Sequence, residues 1–168
     1  MQYLGHVLLS TRRSLLRVHF AGCTAHPTAE WVTQQARQLI WTLQDEQLPI
    51  RFLIHDRDAK FTASFDMVFI AEGVETIRTP YRAPRANAFA ERWIRAAREE
   101  CLDRLLILKQ AHLRRVMREY VDYYNRARPH QGIDQKCPIP IERGNRDGPV
   151  KRRDVLAGVI HDYRREAA

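Results

Sequence analysis

The short apolar run PIRFLIH, residues 49–55, most constrains what this chain can fold into. A run of that length and composition reads as a strand. Ahead of it Val32, Ala36, Leu39, Ile40 and Leu43 recur at helical spacing, and Pro27 and Thr28 suit a helix opening. Residues 28–44 are therefore expected to form a helix with one apolar face. A strand reached through a helix usually joins the same sheet as the strands before it. Those earlier strands read as a hairpin. Residues 3–9, YLGHVLL, and the run LLRVHF, where Leu16, Val18 and Phe20 alternate with Arg17 and His19, flank the polar turn STRRS.

Beyond PIRFLIH, ASFDMVFIAEG reads as a short helix stopped by Gly73, VETIR as a brief strand and TPYRAPRA as a loop. No glycine or proline occurs from Asn87 to Leu108, so one long helix is expected there. A second places Leu113, Val116, Met117, Tyr120, Val121 and Tyr124 on one face and ends at Pro129. Residues 133–168 carry prolines, Gly144, Gly148 and basic clusters such as KRR, with a short helix expected near 154–165. The succession of strands and helices is that of an α/β fold with a mixed sheet.

Charge narrows the partners. The chain has 28 Lys and Arg against 20 Asp and Glu, a net charge of +8, and arginine dominates. Arginine grips phosphate bidentately, so nucleic acid is a natural partner for such a surface. Cys23, Cys101 and Cys137 are far apart with no CxxC, which fits isolated reduced thiols rather than a disulfide framework or a zinc site. No apolar run approaches the ~18 residues of a membrane span, and the N-terminal apolar run lacks the basic residues that open a signal peptide. The expectation is a cytoplasmic protein with no membrane partner.

Two aspartates follow the strand PIRFLIH. Asp56 sits just past its end, where α/β folds often place functional groups. On the helix expected from residue 87, Asn87, Glu91, Arg95 and Arg98 fall along one side. Phe89, Trp93, Ala96 and Ala97 lean elsewhere and can pack on a sheet. A carboxylate at a strand end facing a helix glutamate is a plausible pair of ligands for Mg²⁺, an ion that takes few protein carboxylates and keeps positions for water and phosphate.

These motifs together resemble the integrase core, the DDE transposase family with an RNase H-like fold. HDRDAKF is similar to the family's second-aspartate motif. RTPYRAPRANAFAERWIRAAREECLDRL resembles its final block, in which an Asn and the third acidic residue open a helix and a basic residue follows seven places on, here Arg98. YVDYYNRARPHQGI looks like the closing YN..RPH..L signature. The likeness runs from about residue 3 to 133. It implies an RNase H-like mixed sheet flanked by helices, with residues 1–132 as catalytic core and 133–168 as a basic C-terminal tail.

The resemblance also implies a chemistry. Two divalent ions, normally Mg²⁺ (or Mn²⁺), are held by Asp, Asp and Glu, and serve phosphoryl transfer on DNA during integration or transposition. Carried over, Asp56 is the second acidic ligand and Glu91, 34 intervening residues later, the third. Asn87, Arg95 and Arg98 bind or orient DNA, and Arg82 and Arg85 in the Pro-rich loop either touch phosphate or are simply solvated. Transposases of this type work as multimers, so a homo-oligomer is expected. The pattern departs at one place. The family's first Asp lies ahead of the hairpin that begins near Tyr3, yet the first acidic residue here is Glu30 and the first Asp is Asp45. Glu30 belongs to a helix opening, where it favours the dipole. The expectation is a core truncated at its N-terminus, lacking its first strand and first metal ligand, with little or no strand-transfer activity.

Other residues have quieter readings. Asp58 suits turn chemistry, and His55 suits hydrogen bonding beside a strand end. Trp93, Tyr120 and Tyr124 suit a core. The RARPH segment, Arg126–His130, either faces DNA or caps helix carbonyls. A reading of another class is a basic nucleic-acid-binding module without catalysis, whose DNA binding is salt-sensitive and indifferent to Asp56 and Glu91.

Overall fold

The computed structural model describes residues 8–10, 17–80, 88–140 and 147–165. The chain divides into two compact units, Met1–Trp93 and Ile94–Ala168. In the first, β1 (Leu8–Ser10), β2 (Phe52–His55) and β3 (Glu75–Arg78) form a sheet in that order. β1 runs antiparallel to β2 and β2 parallel to β3, with Leu53 opposite Leu9 and Thr76. The sheet is therefore mixed, as the alternation of patterns implied. Of the expected N-terminal hairpin, residues 8–10 form β1, residues 17–20 form no strand beyond an isolated bridge at Val18, and the rest lies outside the described residues.

α1 (Ala29–Asp45) starts where Pro27 and Thr28 predict, and the Thr28 hydroxyl caps it by accepting from the Trp31 N–H at 3.2 Å. Its apolar face, Val32, Ala36, Leu39, Ile40 and Leu43, packs in one cluster with Leu53 of β2 and with Phe65, Phe69 and Val74. Each such side chain, fully buried, contributes about 1.5–3 kcal/mol. α2 (Ala63–Ile70) ends in a Schellman arrangement. The Val74 N–H donates to the Phe69 carbonyl and the Gly73 N–H to that of Ile70, both at 3.0 Å. Gly73 sits at φ +74°, which only glycine takes without strain. Val74 and Phe69 close the motif inside the core, so the stop signal read at Gly73 also aims β3 back alongside β2.

α3 (Ala88–Glu100) is shorter than the expected helix to Leu108. It stops at the fully buried Cys101, and Leu102–Arg104 form a 3-10 turn. Arg104 holds this bend, its Nε donating to the Glu99 carbonyl at 2.8 Å. Helix formers continue past the stop, but side-chain capping and burial of Cys101 override propensity. In the second unit α4 (Gln110–Arg126) buries Leu113, Val116, Met117, Tyr120, Val121 and Tyr124, the face predicted from spacing.

The short helix expected near 154–165 is not formed. β4 (Val150–Val155) and β5 (Ile160–Arg165) instead pair antiparallel, Val155 opposite Ile160 and Val150 opposite Arg165. Leu156, Ala157 and Gly158 all have positive φ, so the chain reverses there and no helix can run through. The Leu156 N–H donates to the Glu119 carboxylate of α4 at 2.6 Å, which ties the turn to that helix.

Candidate active site

Asp56 leaves β2 at its carboxyl end, and the surrounding chain holds its backbone closely. The His55 carbonyl accepts from the Thr79 N–H at 2.9 Å, extending the parallel β2–β3 ladder to the strand exit. Arg57 Nε donates to the Thr79 carbonyl at 3.0 Å. Asp56 is exposed, and its Oδ1 accepts from the Asp58 N–H at 3.0 Å. Asp58 in turn accepts from the Lys60 N–H at 3.1 Å and from Lys60 Nζ at 2.6 Å. Those bonds from Lys60 lower the Asp58 carboxyl below its ordinary range. Asp58 is turn chemistry, as its sequence context suggested.

Beneath Asp56 lies a network that sequence reasoning did not assemble. His55 is 5% exposed and packs tilted against Phe61 and edge-on against Phe65, with ring centroids 5.0 and 5.5 Å away. Its Nδ1 donates to the Asp56 carbonyl oxygen at 2.7 Å, and its Nε2 meets Asp66 Oδ1 at 2.9 Å. Asp66 Oδ2 accepts from Arg78 at 2.8 Å. One signal was available: Asp66 is the sole charged residue of the otherwise apolar ASFDMVFI. A lone carboxylate in such a helix needs a partner.

Glu91 lies in the first turn of α3. Glu91, Arg95 and Arg98 are all exposed, while Ala90, Trp93 and Ala97 on the opposing face are buried. The helix thus presents the predicted charged side to solvent. Arg98 also stands 3.7 Å from Asp103, both exposed, a pair too screened to immobilise it. Asn87, Arg82 and Arg85 lie outside the described residues, as does the side chain of Phe89. Among the described residues no three His, Cys, Asp or Glu side chains are grouped as a metal site. Asp56 lies at a strand exit and Glu91 at a helix start.

The closing segment YNRARPH has a definite structure. Arg128 makes a fork with Glu100 of α3, Nη2 to Oε1 at 2.6 Å and Nε to Oε2 at 2.9 Å. The Tyr120 hydroxyl donates to the same carboxylate at 3.0 Å. Burial and Glu100 push the Tyr120 phenol well above its usual range, while the fork raises Arg128. His130 is buried, its Nε2 donating to the Tyr124 carbonyl at 2.9 Å, and burial lowers its pKa. The Asn125 carbonyl accepts from the Ile139 N–H at 2.8 Å. Of the two readings left open for RARPH, capping describes His130, and Arg128 is a clamp between helices. Trp93, Tyr120 and Tyr124 are buried, as expected of core aromatics.

Residues 72–138 match the family described as Integrase core domain. This segment is similar to an integrase core domain. It contains β3, α3 with Glu91, Arg95 and Arg98, and α4 with the Arg128 clamp. Integrase-family domains act on DNA. Asp56 precedes the matched residues. No curated protein matches the chain. Among the described residues no helix is long and apolar enough to cross a membrane.

Proposed function

We propose that this chain carries an RNase H-like catalytic core over residues 1–132, with residues 133–168 appended as a basic segment, and that its site serves divalent-metal phosphoryl transfer on DNA. Asp56 and Glu91 are the metal ligands and catalytic carboxylates in this reading. The observation that carries it is the solvent face of α3. Glu91, Arg95 and Arg98 share it inside the integrase segment, with the opposite face buried. Two exposed carboxylates with oxygen donors suit a hard cation that keeps most of its waters. Bound there, Mg²⁺ or Mn²⁺ supplies Lewis-acid activation of a water or 3′-OH and charge stabilisation at the leaving oxygen. Arg95 and Arg98, on the helix that carries Glu91, grip DNA phosphates, and Asn87, Arg82 and Arg85 are further DNA contacts.

Only two of the three family carboxylates have counterparts in these 168 residues. Weak metal binding and little or no strand transfer are therefore expected of this polypeptide. The test has two parts. Mn²⁺ binding followed by electron paramagnetic resonance is lost in Asp56→Asn and in Glu91→Gln. Strand transfer on terminal-repeat DNA stays at background. Unchanged Mn²⁺ binding in both variants removes the metal reading, and robust transfer abolished by Glu91→Gln removes the inactivity.

A non-catalytic nucleic-acid-binding module is the second reading, favoured by the β4–β5 hairpin. Arg152 stands opposite Tyr163 there, with Lys151 opposite Arg164. All four are exposed. An exposed aromatic beside arginine suits base or sugar contact, and the cations suit phosphate. Salt-sensitive DNA binding that persists in Asp56→Asn and Glu91→Gln and falls in Tyr163→Ala with Arg164→Gln supports it.

A further inference from the structure

We infer that His55 is a positioning residue for Asp56, acting through its hydrogen bond to the Asp56 main chain. The inference rests on the proposed metal reading for the role of Asp56 and stands on separate geometry. Residues 56–58 have no regular secondary structure, so the direction of the Asp56 carboxylate is not set by a ladder beyond the His55–Thr79 bond. The Asp58 N–H bond to Oδ1 is made within the same segment and does not tie it to another element. Arg57 ties this exit to the end of β3 through the Thr79 carbonyl, and among the described residues the His55 imidazole is what connects it to α2. Nδ1 holds the Asp56 carbonyl at 2.7 Å, and Nε2 reaches Asp66 of α2 at 2.9 Å. Arg78, at the end of β3, holds the other Asp66 oxygen. The chain of contacts therefore runs from β3 through α2 to the backbone of the proposed ligand.

His55 is not itself a ligand. Its side chain is 3% exposed, and both ring nitrogens are occupied. Phe61 and Phe65 hold the ring from the side, so its rotamer is set by packing as well as by polar partners. Ligating groups work only within a fraction of an ångström of the productive position. Removing the partners that orient ligands typically weakens metal binding about 10–100-fold.

The test separates the two ring nitrogens. In His55→Asn the amide nitrogen replaces Nδ1 and retains the bond to the Asp56 carbonyl. In His55→Gln it replaces Nε2 and retains only the Asp66 link. Two readouts are taken on the whole chain: Mn²⁺ affinity by electron paramagnetic resonance, and the amide NMR shift of Asp58, which reports the Asp56 carboxylate without metal. Thermal melts confirm that each variant folds. His55→Gln is expected to weaken Mn²⁺ binding about tenfold and to move the Asp58 amide toward an unbonded position. His55→Asn is expected to recover most of both. Wild-type values for His55→Gln, or equal losses in the two variants, overturn the inference. If Asp56→Asn leaves Mn²⁺ affinity unchanged, the metal reading fails while the Asp58 shift still decides the positioning.

Discussion

Replacing Arg128 by methionine tests whether the closing signature is a helix clamp or a DNA contact. Arg128 makes a two-pronged bond with Glu100, and the two side chains are 27% and 32% exposed. Hydrogen bonds to charged groups contribute about 1.5–3 kcal/mol, and partial exposure favours the lower part of that range. The guanidinium also lies 5.4 Å from the Tyr124 ring centroid, adding roughly 0.5 kcal/mol. Methionine keeps the aliphatic stem, so the lost packing is small. The expected destabilisation is about 2–3 kcal/mol, which for a chain of this size lowers Tm by roughly 4–10 °C. Arg128→Lys keeps the charge without the fork and should lie about halfway. Urea unfolding followed by circular dichroism gives the loss, and a double-mutant cycle with Glu100→Gln should show coupling of about 1–2 kcal/mol. If Arg128→Met changes stability by less than about 0.5 kcal/mol while DNA affinity falls, the residue faces DNA and the clamp is wrong.

Acid sensitivity should centre on buried histidines. Burial lowers His130, and also His19, so each contributes stability that is complete above its unfolded pKa and is lost as pH falls through that value towards the folded one. The urea midpoint should begin to drop as pH falls below about 6.5. His130→Gln, which keeps an Nε2-like donor, should flatten part of the slope. Ala157 is exposed with φ +53°. Ala157→Gly should raise stability by about 1 kcal/mol by relieving left-handed strain, and an unchanged or lower midpoint refutes that. Burial pushes the Cys101 thiol up to about 12, and Cys23 is also buried, while Cys137 is half-buried. Native titration with a disulfide reagent should show Cys137 reacting first, with its phase absent in Cys137→Ser.

Much of the fold was legible because periodicity is local. The buried faces of α1 and α4, the strand at 52–55 and the stop at Gly73 follow from spacing and from one residue's backbone freedom. The charged side of α3 followed in the same way, since Glu91, Arg95 and Arg98 share a face of any helix. The misread segments were those where local preference was weak or outvoted. Residues 101–108 are helix formers, yet Cys101 is buried and Arg104 caps the turn. Residues 154–165 lack a clear period, and a positive-φ turn made them a hairpin.

By itself the sequence determined the alternation of strands and helices, the charged face of α3 and the placing of Asp56 at a strand exit. Only tertiary structure decided which charges are paired. Asp66 finds His55 eleven residues away and Arg78 twelve away, and Glu100 finds Arg128 across twenty-eight. Helical spacing reaches about four residues along a chain. Beyond that, partners are chosen by which elements pack together and by the cost of leaving a buried charge alone.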